Sequence, residues 1–413
     1  MKLTKVLIAA SLFSSLSSAP LWAADFSADN YLTGDLLGWR SQLHDSGFDF
    51  NLGYTFETGG NLSGGDDHAY SYVDQTALGM VFDLDKLIGL PHASFHFSLV
   101  NRGGQAQDIN DKAGLGDQMQ SLEVYGRGRV TRISQFYYQE DFLQNMLEMK
   151  LGRMSFGDEF GSFQCEFAYL GLCGSQSGNF NSLYNWPISQ WAGTLKYEFV
   201  KDWYAKVGLY QHNPGWLENG QGWNFGNPSG TDGITLPVEF GWTPTIGGMP
   251  GTYKIGYWWD TAGGEDIYHS GKNHSRKSGF YFLADQQVMT FGGDSSRGLN
   301  VYLYETVNDK DINNVDRSLA AGVTFKGPLA CRPKDKWGIG AVYLHFSDRL
   351  ADLDRMTANT PIQTDQFVFA SYYKVQVTNY IAIRPEIQYL NHPGGTGHNA
   401  NAWVATLKGD IQF

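Results

Sequence analysis

Residues 403–413 read Trp-Val-Ala-Thr-Leu-Lys-Gly-Asp-Ile-Gln-Phe, and their alternation decides the fold. Trp403, Ala405, Leu407, Ile411 and Phe413 fall on one face with Gly409 among them, while Thr406, Lys408, Asp410 and Gln412 fall on the other. Period two is the signature of a strand, whose successive side chains point to opposite faces. About ten residues of it match the length and dyad of a strand that crosses an outer membrane as part of a barrel. Phe413 agrees with that reading, since such barrels commonly close on a carboxy-terminal aromatic residue.

The dyad recurs along the chain. Phe48, Phe50, Leu52, Tyr54 and Phe56 alternate with Asp49, Asn51, Gly53, Thr55 and Glu57. Ala93, Phe95, Phe97 and Leu99 alternate with Ser94, His96 and Ser98. Similar patterns start at Trp191, Trp203, Tyr253 and Ile381, and weaker ones run near 72–84, 146–153, 298–306, 317–325, 337–346 and 366–376. The apolar face tends to begin or end in Trp, Tyr or Phe, as aromatic girdles at two membrane interfaces require. Lys, Arg, Glu and Asp occupy the other face, which a water-filled lumen tolerates and a small packed barrel does not. The spans number roughly sixteen to eighteen, a size that leaves an aqueous channel. A soluble all-β receptor would instead hide its apolar face in a core.

Composition agrees. Of 413 residues, 17% are charged and 15% aromatic, with 50 glycines, a mixture suited to much strand and many turns. The net charge of −12 and a pI near 5.2 argue against nucleic acid as a partner. Lys2 and Lys5, the apolar run Val6–Leu16 and the small residues around Ala23 form a secretory signal peptide over 1–23, whose removal leaves −14. A lead-in segment, 24–47, follows, and the barrel takes 48–413. In the lead-in, Leu36, Trp39, Arg40 and Leu43 have helical spacing with Thr33 or Asp35 as N-cap, so the segment reads either as a short helix against or inside the barrel mouth or as an irregular lead-in. Tight links such as Val200-Lys201-Asp202 and long Gly- and Asn-rich stretches such as 213–233 reproduce the short-turn, long-loop asymmetry of barrels.

Three cysteines in an exported chain invite one disulfide and one leftover thiol. Cys165 and Cys173 sit in a Gly- and aromatic-rich stretch between strand patterns, which makes them the candidate pair; sequence does not prove connectivity. Cys331 is then a lone thiol in a turn over 327–336. No metal site is expected, because the cysteines lack zinc-type spacing, and no cofactor. The motifs G-x-S-x-G, H-E-x-x-H and G-x-x-x-x-G-K-[ST] are absent, so no enzyme is expected. What remains is a lined channel. A neutral sugar offers hydroxyls in every direction, so its site wants Arg as a fork of donors, carboxylates as acceptors, an aromatic platform and mixed charge at the constriction.

Several segments together resemble the OprB-type carbohydrate-selective porins. They are Leu32-Thr-Gly-Asp35 with Arg40, Phe82-Asp-Leu-Asp-Lys-Leu-Ile-Gly89, Ser98-Leu-Val-Asn-Arg-Gly103 and Leu151-Gly-Arg-Met-Ser-Phe-Gly-Asp-Glu-Phe160. The Cys165 to Gly174 loop, Pro187-Ile-Ser-Gln-Trp-Ala-Gly193, Asp202 to Tyr210 with Asn213-Pro214, and Arg384-Pro-Glu-Ile-Gln-Tyr389 with His392-Pro-Gly-Gly395 continue the series in family order. One departure is Leu36, where the family usually has Trp; here Trp39 comes later. The resemblance implies a transmembrane antiparallel barrel of sixteen strands in a Gram-negative outer membrane, contacting its lipid and acting as monomer or homotrimer. It implies passage of monosaccharides such as glucose through an eyelet formed by inward loops. Arg102 is the expected eyelet arginine, joined by Arg129 and Arg132, with Trp186 as sugar platform and Glu123, Asp158 and Glu159 as acidic partners. The alternative is a general diffusion porin with the same barrel and no saturable site; a ligand-gated uptake receptor would need a large N-terminal plug.

Overall fold

The alternation closes on itself. The computed structural model describes residues 27–180 and 183–413, so the expected signal peptide lies outside the described residues. Sixteen long strands run in chain order: β1 Phe48–Ser63, β2 Tyr70–Asp83, β3 Ala93–Gly104, β4 Thr131–Phe142, β5 Leu147–Met154, β6 Gln190–Val200, β7 Trp203–His212, β8 Gly233–Trp242, β9 Met249–Asp260, β10 Lys277–Phe291, β11 Asp294–Asn308, β12 Val315–Lys326, β13 Lys336–Phe346, β14 Asp365–Gln376, β15 Ile381–Asn391 and β16 Ala402–Gln412. Each pairs antiparallel with the next, and β16 returns to β1 with Glu57 opposite Lys408. Among the described residues the barrel sheet has no unpaired edge, which is the condition for a sheet to stand in hydrocarbon. The other strands among the described residues are two-residue pieces, Thr245–Ile246 in the turn before β9 and the Gly264–Glu265 with Asn273–His274 hairpin.

One end of the barrel carries tight turns. Gly292 and Gly293 join β10 to β11 with φ of 68° and 76°, the left-handed pair that a two-residue hairpin demands. The other end carries long connections, among them L2 (105–130), L3 (155–189) and L4 (213–232). Outward side chains such as Leu195, Val207, Phe240, Ile255, Phe369 and Leu407 are exposed and form the lipid-facing belt. Aromatic contacts mark both rims: Trp203–Trp242 and Phe325–Trp337 at the turn end, Tyr343–Phe367 and Tyr389–Trp403 at the loop end.

The apolar core lies inside the wall, because L2 and L3 fold into it. Ile109, Leu115 and Leu122 of L2 and Phe156, Phe160, Tyr169 and Leu172 of L3 are buried against the inward Tyr210, Trp258, Tyr281, Tyr304 and Tyr372. Large rings leave room for these loops only by lying flat along the wall. Tyr204, Tyr281, Tyr302 and Tyr372 each stand opposite a glycine, Gly241, Gly256, Gly322 and Gly338. A Cβ on Gly256 would come within 2.1 Å of the Tyr281 ring. This filled interior explains why β10 gave no clear dyad in sequence: its inner face holds Tyr281 and Leu283, as apolar as its outer one. In β4 the register shifts at Ser98/Leu99 against Gln135/Ile133, and the extra residue breaks the parity.

The lead-in contains the short helix α1, Trp39–Asp45. It starts later than its spacing indicated, since Leu36 and Leu37 take positive φ of 49° and 61°. Asp35 receives the Ser41 amide and hydroxyl at 2.8 and 2.7 Å. The buried Arg40 guanidinium lies over the rings of Tyr31 and Phe50 and donates to the carbonyls of Phe50 and Phe413. The helix therefore sits at the turn end, on the β1–β16 seam.

Candidate functional site

L3 is bound to the wall along most of its course. Glu159, in the short helical turn Phe156–Glu159, accepts from Lys150 of β5 at 2.9 Å and from Lys206 of β7. The Gly161 amide donates to Glu239 of β8 at 2.9 Å, and Lys254 of β9 donates to the Ser162 carbonyl at 2.8 Å. Glu166 meets Lys336 of β13 at 2.5 Å, Arg384 of β15 at 3.2 Å and Lys374 of β14 at 3.6 Å. The amides of Ala168 and Tyr169 donate to Glu386 at 2.7 and 3.2 Å. A disulfide joins Cys165 to Cys173 at this tip. Burial alone would raise the carboxyls of Glu159 and Glu166, but the adjacent cations hold both well below the ordinary range. Asp158, half-buried beside them, forms no ion pair, and desolvation outweighs the pull of Lys150 and pushes it up to about 7.

L2 comes from the other side. Lys408 of β16 bridges Glu123 of L2 at 2.5 Å and Glu57 of β1 at 3.1 Å. The Val124 amide donates to Glu57 at 2.9 Å, and Gln388 of β15 donates to the Ser121 carbonyl at 2.9 Å. The loops meet where the Tyr169 hydroxyl donates to Asp117 at 3.1 Å and the Leu170 amide to the Gln120 carbonyl at 3.0 Å. The lumen is thus crossed by two loops, L3 pinned to β5, β7 to β9 and β13 to β15, and L2 to β15, β16 and β1.

Arg102 stands on that wall, buried on the inner face of β3. Its Nε donates to the Gln75 Oε1 at 2.9 Å and its Nη1 to the Gly126 carbonyl at 3.1 Å. Trp186, half-buried in L3, donates its Nε1 to the same Gln75 oxygen at 3.1 Å. The carboxylates of Glu123 and Glu57 act electrostatically on Arg102. Arg102 also lines a cavity of about 360 Å³ with Arg127, Arg129, Tyr125 and Asn219.

The expected residues therefore divide. Arg102, Trp186 and Glu123 come together through Gln75, Lys408 and L2. Arg129 is exposed at the rim of the cavity, its Nη1 on the Gly104 carbonyl at 3.1 Å. Arg132 spends its guanidinium on the carbonyls of Arg127, Trp216, Leu217 and Glu218 and the side chain of Asn219, which fixes L4. Asp158 and Glu159 sit with the Lys150–Lys206 clasp. Glu123 lies beside the sulfurs of Cys165 and Cys173, but sulfurs bonded to each other are not the thiolates that a metal takes. Sequence reasoning passed over Gln75, whose parity on β2 places it directly opposite Arg102, and Arg127. It also passed over Glu166, whose partners lie far along the chain.

The pattern of the carbohydrate-selective porin, OprB family, matches residues 67–413. Porin B of Pseudomonas aeruginosa is 38% identical over 95% of this chain and 94% of its own length. The high-pH structure of Pseudomonas putida OprB superposes with a TM-score of 0.90 at 36% identity, covering 94% of this chain and 99% of that one. The low-pH structure of the same protein gives 0.63 at 28% identity over 94% and 100%.

Proposed function

The chain belongs to the OprB family of carbohydrate-selective porins and is a sugar porin of the Gram-negative outer membrane, and from that premise we propose that monosaccharides such as glucose are selected at Arg102, Gln75, Trp186 and Glu123. The observation that carries this reading is the convergence of Arg102 and Trp186 on one Gln75 oxygen, in a lumen narrowed by L2 and L3. The Arg102 fork and the Gln75 amide nitrogen supply donors to vicinal hydroxyls, Glu123 supplies an acceptor, and the indole gives the weakly apolar sugar face a surface. The carboxylates of Glu57 and Glu123 offset Arg102 and Lys408, so a neutral solute meets mixed charge at the constriction. Arg129 stands at the approach, Arg132 holds L4 in place, and Glu159 with Asp158 keeps L3 across the lumen. Passage is diffusion down a gradient, with no catalytic step. Each chain closes its own lumen, so a homotrimer would hold three independent pores.

Planar-bilayer conductance of the purified barrel tests the proposal, with glucose titrated against a disaccharide. Saturable block of the ion current by glucose, weakened in Arg102→Ala, is the expected result. Steady current at every sugar concentration would sink it and leave a general diffusion porin.

A further inference from the structure

L4 is carried over the rim to the outside of the barrel. Parity on the wall puts Phe136 of β4, Leu151 and Arg153 of β5, Trp191 of β6 and Leu209 and Gln211 of β7 on the outer face. The second half of L4 descends over that face. The Ile133 amide donates to the Gly222 carbonyl at 2.9 Å, and the Trp191 Nε1 donates to the Gly226 carbonyl at 2.9 Å. The rings of Phe225 and Phe136 meet edge to face with centroids 5.6 Å apart. Gln211 donates to the side chains of Asn227 and Thr231, both at 2.6 Å. Gly222 lies so close to the Thr131 carbonyl that no side chain would fit there.

Beneath this flap lies Arg153, an arginine whose parity points it at the membrane. It is buried: its guanidinium lies 4.0 Å from the Trp216 ring and donates to the carbonyls of Asn224 and Ile133 and to the Ser189 hydroxyl. A bare arginine on the lipid face of a barrel is costly, and L4 takes it out of contact with lipid. What L4 presents in its place is apolar and neutral. Trp223 is 56% exposed and Phe225 53%, and residues 219–231 contain no Lys, Arg, Asp or Glu. These rings continue the exposed belt of Leu151, Leu195 and Leu209 toward the loop end. Trp is favoured at membrane–water interfaces, where its amphipathic ring sits at headgroup level, and Phe belongs to the buried face of interfacial segments. With no cation on the segment, an anionic headgroup gains nothing by pairing with it.

We propose that L4 is a lipid-docking finger. Trp223 and Phe225 sit among the upper acyl chains of the outer leaflet, and the bilayer holds L4 over Arg153 from outside.

The test is tryptophan fluorescence of the full barrel in bilayers, read as wild type minus Trp223→Phe, which isolates the emission of Trp223 and keeps an apolar ring at the position. That emission is expected to fall roughly twofold with phospholipids brominated near the head end of their acyl chains, the depth at which interfacial rings settle, and less with bromines at the chain end. Quenching by the brominated lipid supports the docking. Its absence overturns it: access to aqueous acrylamide would then place L4 in water, and no access would place another protein surface, such as a second barrel, over it. A second variant covers a folding defect in the first. Phe225→Cys in a Cys331→Ser background, spin-labelled in the same bilayers, should collide more with oxygen than with a water-soluble nickel chelate. The reverse preference overturns the proposal by itself.

Discussion

L3 and the Gly126–Arg129 turn both bring charge into the lumen, and they do so in opposite ways. L3 carries carboxylates, Glu159 and Glu166, each surrounded by cations of the wall. The turn carries guanidinium groups around a cavity with no carboxylate on its lining. In the first case every strong interaction is satisfied within the chain, so its consequence is position: the loop stays across the pore. In the second, Arg102 and Arg129 are met by amide and carbonyl oxygens rather than carboxylates. What separates scaffold from site here is whether a buried charge finds its counterpart inside the protein.

The contrast breaks most severely at Glu166. Glu166→Ala leaves Lys336, Lys374 and Arg384 buried around an empty place, a loss of about 3–5 kcal/mol by the usual behaviour of disrupted buried pairs. The expected outcome is release of the L3 tip, read as a larger single-channel conductance and faster proteolysis within L3. Unchanged conductance would mean that L3 is held by its backbone contacts alone. Next in size is Arg102→Ala, which should raise the half-blocking glucose concentration roughly ten- to a hundredfold, the range for losing hydrogen bonds to a charged group; the barrel itself should resist thermal unfolding as before.

The pH dependence of L3 sharpens the comparison further. Glu159 and Glu166 have depressed carboxyls, so their stabilisation is complete above the unfolded value of ~4.3 and is lost as pH falls below it. Asp158 has the opposite sign. With its carboxyl pushed up to about 7, stability is lost as pH rises from the unfolded value of ~3.9 through that figure. Protection of L3 from protease should therefore fall at both ends, and Asp158→Asn should flatten the alkaline side only. An alkaline decline that survives in Asp158→Asn would exclude this residue as its cause. The smallest effect belongs to Arg355→Ala, which removes an exposed pair with Asp352 on the helix Asp348–Met356. A shift of under about 0.5 kcal/mol is expected in thermal unfolding, which would confirm that burial, rather than charge pairing as such, gives the L3 clasps their weight.

Sequence carried the wall well and the interior poorly. The dyads at Phe48–Glu57, Trp203–Tyr210 and Trp403–Gln412 keep lipid on one side and water or polar contacts on the other, so alternation survives in the residues themselves. It fades in β10, where L3 makes the inner face apolar, and in β4, where a bulge shifts parity. The inward placement of Arg102 was legible because it continues the face of His96, Ser98 and Val100. Arg132 obeys the same logic, yet its donors go to L4, and nothing in its neighbourhood along the chain reveals that. Glu166 stands 170 residues from Lys336 and lies in no periodic segment; only closure of the barrel brings the two together.

That separation sets an order of events. Lys150 precedes L3 by a few residues, but Lys336, Lys374 and Arg384 belong to the last third of the chain. Contacts of such sequence separation form late, because the entropy of closing the intervening chain must be overcome before they contribute. L3 therefore remains untethered at its tip until the final strands are in place, and the barrel becomes selective only at the moment it becomes whole.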